Sequence, residues 1–242
     1  MRSLMAFSYI YRGFRLLSTP GIRLYVVIPL LLNFTIFATM IWAGMSYFSD
    51  FMHWLLPDES GGWLLLYWLL LIVFFFTAWL IVFYTFSLVA NFIAAPFNSL
   101  LAEAVEHHLT GQTPPGNLLK ALKEFIPSLR AELNKFTYLI AWSIPLLIFS
   151  LIPGVNLLAP FLWFLFSAWM MGIQYIDYPA GNHGIFFKQQ RKILAQRRFQ
   201  TMSFGGGVML ASMVPVFNFI VMPAAVAGAT LFWFETLADE EE

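Results

Sequence analysis

Hydrophobic positions along this chain come in long uncharged runs rather than in amphipathic stripes. Residues 24–49, 61–102, 136–176 and 199–234 contain no Asp, Glu, Lys or Arg, over 26, 42, 41 and 36 residues respectively. At 1.5 Å per residue the first run reaches about 39 Å as a helix, enough to cross a hydrocarbon core of about 30 Å. The second is longer still. Both runs predict transmembrane helices. The third and fourth are punctuated near their middles, by Ser150-Leu151-Ile152-Pro153-Gly154-Val155-Asn156 and by Ser212-Met213-Val214-Pro215-Val216-Phe217-Asn218. The shared pattern Ser-apolar-apolar-Pro-x-x-Asn is a weak internal repeat. Pro lacks an amide donor and Asn tolerates turn geometry, so each run predicts a helical hairpin. The fourth run leaves 16 residues on either side of its turn, about 24 Å per leg, and its first leg carries Gly205-Gly206-Gly207. It is expected to be re-entrant, penetrating only partway where protein or a wet cavity shelters its turn. The third run, with 17 and 20 residues per leg, fits either a full or a partial crossing.

Residues 1–23 carry a different pattern. Phe7, Ile10, Phe14 and Leu17 share one helical face, and Ser8, Arg12 and Arg15 the opposite one. This predicts a basic amphipathic helix, lying at the membrane surface or packed on the rest of the protein. No cleavable signal is expected there, because Arg2, Arg12 and Arg15 interrupt the segment.

Composition agrees with the pattern. The chain is 60% hydrophobic and 11% charged, against roughly 25% charged residues in a soluble domain. The reading is an all-α integral membrane protein, a single membrane domain over residues 1–242. Thirteen basic residues balance thirteen acidic ones, so there is no basic excess to suit nucleic acid, and the absence of Cys excludes disulfides and thiol catalysis. The basic residues fall in three blocks, 2–23, 120–135 and 188–198, while residues 50–62 hold none. The positive-inside rule places the three blocks and both termini in the cytoplasm. Trp54, Trp63 and Trp68 then sit near the outer interface.

Candidate chemistry is sparse. Ser18-Thr19-Pro20-Gly21-Ile22-Arg23 precedes the first span, with Ser18 or Thr19 suited to an N-cap and Pro20 to the first helical position. The amides of Gly21, Ile22 and Arg23 would then be free donors at a positive helix end, and Arg23 adds a forked cation suited to a tetrahedral oxyanion. The other reading of these residues is a plain helix start with Arg23 snorkelling to headgroups. Glu103, Glu106, His107 and His108 cluster at the end of the second run, either as a proton relay or polar vestibule or as a solvated helix end. Adjacent histidines make a poor metal pair, and neither a metal nor a cofactor is expected. Asp177, directly after an apolar leg, is expected to bond to a hairpin terminus or a basic neighbour. Arg130 and Glu132 read as solvated positions in a mixed-charge helix over residues 118–135 that Pro127 interrupts. No nucleophile–base set appears, so an enzyme is disfavoured.

Several segments together resemble the bacterial CysZ family of inner-membrane sulfate transporters. They are Thr19-Pro20-Gly21-Ile22-Arg23, Asn91-Phe92-Ile93-Ala94-Ala95-Pro96-Phe97-Asn98, Leu109-Thr110-Gly111-Gln112-Thr113-Pro114-Pro115, Ala159-Pro160-Phe161-Leu162-Trp163 and Gln174-Tyr175-Ile176-Asp177-Tyr178-Pro179, with Asn182-His183 following. The resemblance runs through nearly the whole chain in order. It implies sulfate uptake feeding cysteine biosynthesis by a non-enzymatic permease, two long transmembrane helices with two partly penetrating hairpins, and homo-oligomers in the lipid bilayer. It also implies a sulfate-binding motif at Gly21, Ile22 and Arg23, and Glu103 and His107 as pathway or proton-coupling residues. At the next position this chain departs, with Leu24 where members often carry a second Arg. The alternative is a membrane scaffold or a regulator of another sulfate importer.

Overall fold

The computed structural model describes residues 2–55, 63–111 and 118–237. Every regular element among them is helical: α1 (Arg2–Leu16), α2 (Leu24–Leu55), α3 (Trp63–Thr110), α4 (Leu118–Leu151), α5 (Ala159–Asn182), α6 (Phe187–Gln196), α7 (Arg198–Ser212) and α8 (Pro215–Phe232). A 3₁₀ turn, Val155–Leu158, precedes α5, and a π turn, Trp233–Leu237, follows α8. Among the described residues, four segments are long and apolar enough to cross a membrane: Leu24–Phe48, Leu129–Leu151, Val155–Asn182 and Ile220–Leu237. The expected all-α membrane-protein class is the observed one.

The chain divides into two compact units, Val27–Phe97 and a larger one formed by Met1–Val26 with Asn98–Glu242. In the smaller unit the apolar side chains face outward. Only 6% of Leu24–Phe48 is buried, which leaves that surface for lipid. Two of its hydroxyls are satisfied within α2 itself, Thr35 donating to the Leu31 carbonyl at 2.8 Å and Thr39 to that of Thr35 at 2.8 Å. A helix in hydrocarbon must close its polar groups in this way. Phe48 stacks on Phe74 with ring centroids 3.7 Å apart, joining α2 to α3 within this unit.

The larger unit has a true core, centred on Leu101, Ile173, Leu194, Phe204, Val226 and Trp233. Here α5 packs along α7 and α8, and α1 lies against α8 and α7. Close approach depends on glycine. A Cβ on Gly205 would overlap the Ala168 carbonyl oxygen, and one on Gly172 would lie 2.8 Å from the Thr201 carbonyl oxygen. Gly205 and Gly206 are therefore part of the contact surface of α7 against α5. Small residues serve this purpose where helices meet in a membrane.

The two hairpins form where the repeated pattern places them. Ser150 and Ser212, its first residue in each copy, both donate to the carbonyl four residues back, at 2.7 and 2.8 Å. The copies then diverge. Gly154 adopts φ 84° and lengthens the first turn, whereas Pro215 in the second copy starts α8 directly after Met213-Val214. By length and composition Ile220–Leu237 qualifies as a span, but 72% of it is buried in protein, so its surroundings are helices rather than lipid.

Two expectations are corrected. Pro127 does not interrupt its segment, since α4 runs continuously from Leu118 to Leu151 through Pro127 and Pro145. A proline removes one donor but does not end a helix when its neighbours hold the axis. The buried stripe of α1 is also rotated from the expected one. Gly13 and Leu17 are buried while Phe14 is exposed. Gly13 lets α1 approach α8 at Gly228, and that contact draws in Tyr9 and Leu16 in place of Phe14. Arg12 fixes the far side with a fork to both carboxylate oxygens of Glu235, beside a 3.3 Å hydrogen bond between Tyr9 and Thr236.

Candidate functional site

The chain between α1 and α2 is a series of turns, and α2 starts at Leu24, later than Pro20. Gly21 adopts φ 93°, a conformation that only glycine takes without strain, and open space surrounds the position of its missing Cβ. Ile22 is buried and belongs to the same core as Leu101 and Val105, so it anchors the loop. Arg23 is exposed. The expected row of three free amides is not formed. Both the Ile22 and the Arg23 amides donate to the Thr19 carbonyl, each at 3.2 Å, because the chain turns once more before the helix begins. Among the described residues, Gly21 and Leu24 are the positions here whose amides take no backbone acceptor.

A second polar region joins the last turns of α3 to the end of α5, all within the larger unit. The Asn98 amide donates to the Tyr178 hydroxyl at 3.2 Å, the Ser99 hydroxyl to Asn182 Oδ1 at 2.7 Å, and the Asn182 amide to the Ser99 carbonyl at 3.2 Å. About two turns further on, Glu106 is buried with Oε1 3.1 Å from His183 Nε2. Its Oε2 is also buried, with no hydrogen-bond partner among the described residues. Burial pushes the Glu106 carboxyl above the ordinary carboxylate range. His183 opposes that shift and the nearby charge of Glu103 adds to it. His183 also packs edge-on against Phe234 at 5.7 Å.

The sequence pointed to Glu103 and His107 in this region. The structure leaves His107 exposed and Glu103 partly buried. The paired residues are Glu106 and His183, which are 77 positions apart in sequence, so no local spacing reveals the contact. Asp177 does find a basic partner. Lys135 Nζ, itself buried, donates to Asp177 Oδ2 and to Glu132 Oε1, both at 2.8 Å, and to Gln174 Oε1 at 3.4 Å. A buried ammonium is tolerable only with such a set of acceptors. No group of three or more His, Cys, Asp or Glu side chains able to hold a metal occurs among the described residues.

Comparison with known proteins gives the family. Residues 9–223 match the family described as "Sulfate transporter CysZ/Etoposide-induced protein 2.4". The chain belongs to this family. The Sulfate transporter CysZ of Pseudomonas aeruginosa is 41% identical over 235 residues, covering 96% of either chain. That of Pseudomonas paraeruginosa is 40% identical over the same length. That of Pectobacterium atrosepticum is 40% identical over 230 residues, covering 94% of this chain and 83% of its own. Both polar regions described above lie within the span of the CysZ family match.

Proposed function

We propose that this protein is a sulfate transporter of the bacterial inner membrane that supplies sulfate for cysteine biosynthesis. The observation that carries the reading is the 41% identity over 96% of the chain to a protein named Sulfate transporter CysZ. Four apolar segments long enough to cross a bilayer are in keeping with it.

A dianion does not enter hydrocarbon unaided, because the cost of stripping its water is far too large. The loop before α2 offers substitutes for that water. Arg23 provides a charge-assisted fork, and the Gly21 and Leu24 amides, at the positive end of α2, provide neutral donors. Ile22, held in the core, fixes the loop so that little ordering remains when the ion arrives. Capture at Gly21, Ile22 and Arg23 is thus a backbone-and-guanidinium site, with a single side-chain cation because Leu24 follows. Glu106 and His183, with Glu103 and His107 beside them on α3, are the groups suited to line a polar route or to couple proton movement. The protein is read as one membrane domain working as a homo-oligomer in the lipid bilayer. Its basic blocks and termini face the cytoplasm, and the hairpins α4–α5 and α7–α8 penetrate only partway.

Expression in a bacterium stripped of its own sulfate importers tests the reading. Growth on sulfate as sole sulfur source is expected with this chain and not with empty vector, while both grow on cysteine. Growth on cysteine alone in both strains, with the protein present in the membrane, would favour a scaffold or regulator over a transporter.

A further inference from the structure

Between the first half of α4 and the start of α6, within the larger unit, lies a cleft of about 410 Å³. Its polar lining is Arg130, Asn134 and Lys188, and its walls include Pro127, Phe186 and Phe187. Arg130 and Lys188 are both exposed, come from different helices, and have no ion pair or hydrogen bond among the described residues. Two further cations on these helices are engaged. Lys135 is tied to Asp177 and Glu132, and the Arg191 guanidinium lies 4.9 Å over the Tyr138 ring and 5.7 Å over that of Phe187. The Arg191 contacts staple α6 to α4 and hold the cleft walls in place. At its α6 side the Gln189 and Gln190 amides are satisfied by the Phe186 carbonyl, whereas those of Phe187 and Lys188 take no backbone acceptor among the described residues.

We propose that this cleft binds the phosphate group of an anionic lipid. Two unpaired cations and an amide side chain lining one cleft match a phosphate oxyanion. The surroundings favour a lipid over a free ion. The cleft lies at the start of the apolar segment Leu129–Leu151, where the exposed Leu133 stands one turn beyond Arg130 and the exposed Trp142 follows on the face of α4 that carries Ala131 and Asn134. Those two side chains give the acyl region a surface to lie on, and the apolar walls of the cleft suit the glycerol end. A free phosphate would use the cations and leave the apolar walls uncovered. Basic pockets between membrane helices on the cytoplasmic side are the usual place for anionic headgroups. The proposal does not depend on what the protein transports.

Purified full-length protein in a neutral detergent would be titrated with short-chain phosphatidylglycerol, short-chain phosphatidylcholine and inorganic phosphate, with binding read by native mass spectrometry. Phosphatidylglycerol is expected to bind in preference to the other two. Arg130→Gln with Lys188→Gln should weaken it roughly 10–30-fold, the effect of two cations near an anionic surface. Lys192→Gln, an equal loss of charge per site on the same helix but outside the cleft, should leave it unchanged. The swap Arg130→Lys with Lys188→Arg keeps both charges and should retain binding, which separates lost contacts from lost folding. Equal binding of the two lipids, undiminished binding in the Gln variants, or an equal loss in Lys192→Gln would overturn the proposal. Saturation by inorganic phosphate with the same dependence on Arg130 and Lys188 would replace the lipid with a free anion and overturn it as well.

Discussion

Glu106 and Arg23 show how far single residues can be read before a fold is known. The motif around Arg23 is local, so its chemistry was legible: a glycine, a helix start and a guanidinium within three positions. Which amides remain free was not, because that depends on one further turn closed by the Thr19 carbonyl. Glu106 was partly legible. Asn98, Leu101, Ala102, Val105 and Glu106 are all buried and recur at helical spacing, which places Glu106 on the inner face of α3 and His107 outside it. Its partner His183 was not readable, since only the packing of α5 on α3 brings it there. The environment of Glu106 has a pH consequence. Its carboxyl pKa is raised above the value of 4.5 mainly by burial, so the folded protein holds this proton more tightly than the unfolded chain. Stability from this group is present at low pH and is lost as pH rises through the raised value. Thermal melts across pH are expected to show wild type losing stability relative to Glu106→Gln above about pH 4.5, the ordinary value for such a group, with a constant difference once the carboxyl is ionised. Parallel curves throughout would mean that Glu106 titrates as it does in the unfolded chain.

Helices in this protein are set by apolar run length, and their contacts by glycine. Run length was plain in the sequence, as were both hairpin turns, because Pro and Asn interrupt otherwise uniform runs. The role of Gly205-Gly206-Gly207 was not. A helix-interior glycine costs roughly 0.5–1 kcal/mol relative to Ala, and the closeness of Ala168 and Gly172 explains the one at 205. The face α1 would bury was hidden for the same reason, since hydrophobicity alone favoured Phe14 over Gly13. Gly205→Val is expected to destabilise the protein by at least about 1–3 kcal/mol, the range for overpacking, and to lower the melting midpoint in detergent. Gly44→Ala, at a site with nothing within 4 Å of the new Cβ, should change it little. Similar midpoints for the two variants would show that α5 and α7 can separate without loss.

At the scale of the molecule, an all-helical membrane protein of the CysZ family carries its thirteen basic residues in three blocks. The chain has no cysteine, so single Cys substitutions report position without background. Asp50→Cys and Lys192→Cys are expected to react with impermeant thiol reagents from opposite sides of the membrane, the first from outside and the second from the cytoplasm. Reaction of both from one side would contradict the topology. The most direct test of the central claim is radiolabelled sulfate uptake into proteoliposomes holding wild type or Arg23→Ala. Uptake by wild type above empty vesicles is predicted. At low sulfate it should fall roughly 10–100-fold in the variant, equivalent to the 1.5–3 kcal/mol of a charged hydrogen bond. No uptake by folded, inserted wild-type protein would contradict transport by this chain, and equal uptake by the variant would remove Arg23 from the capture site.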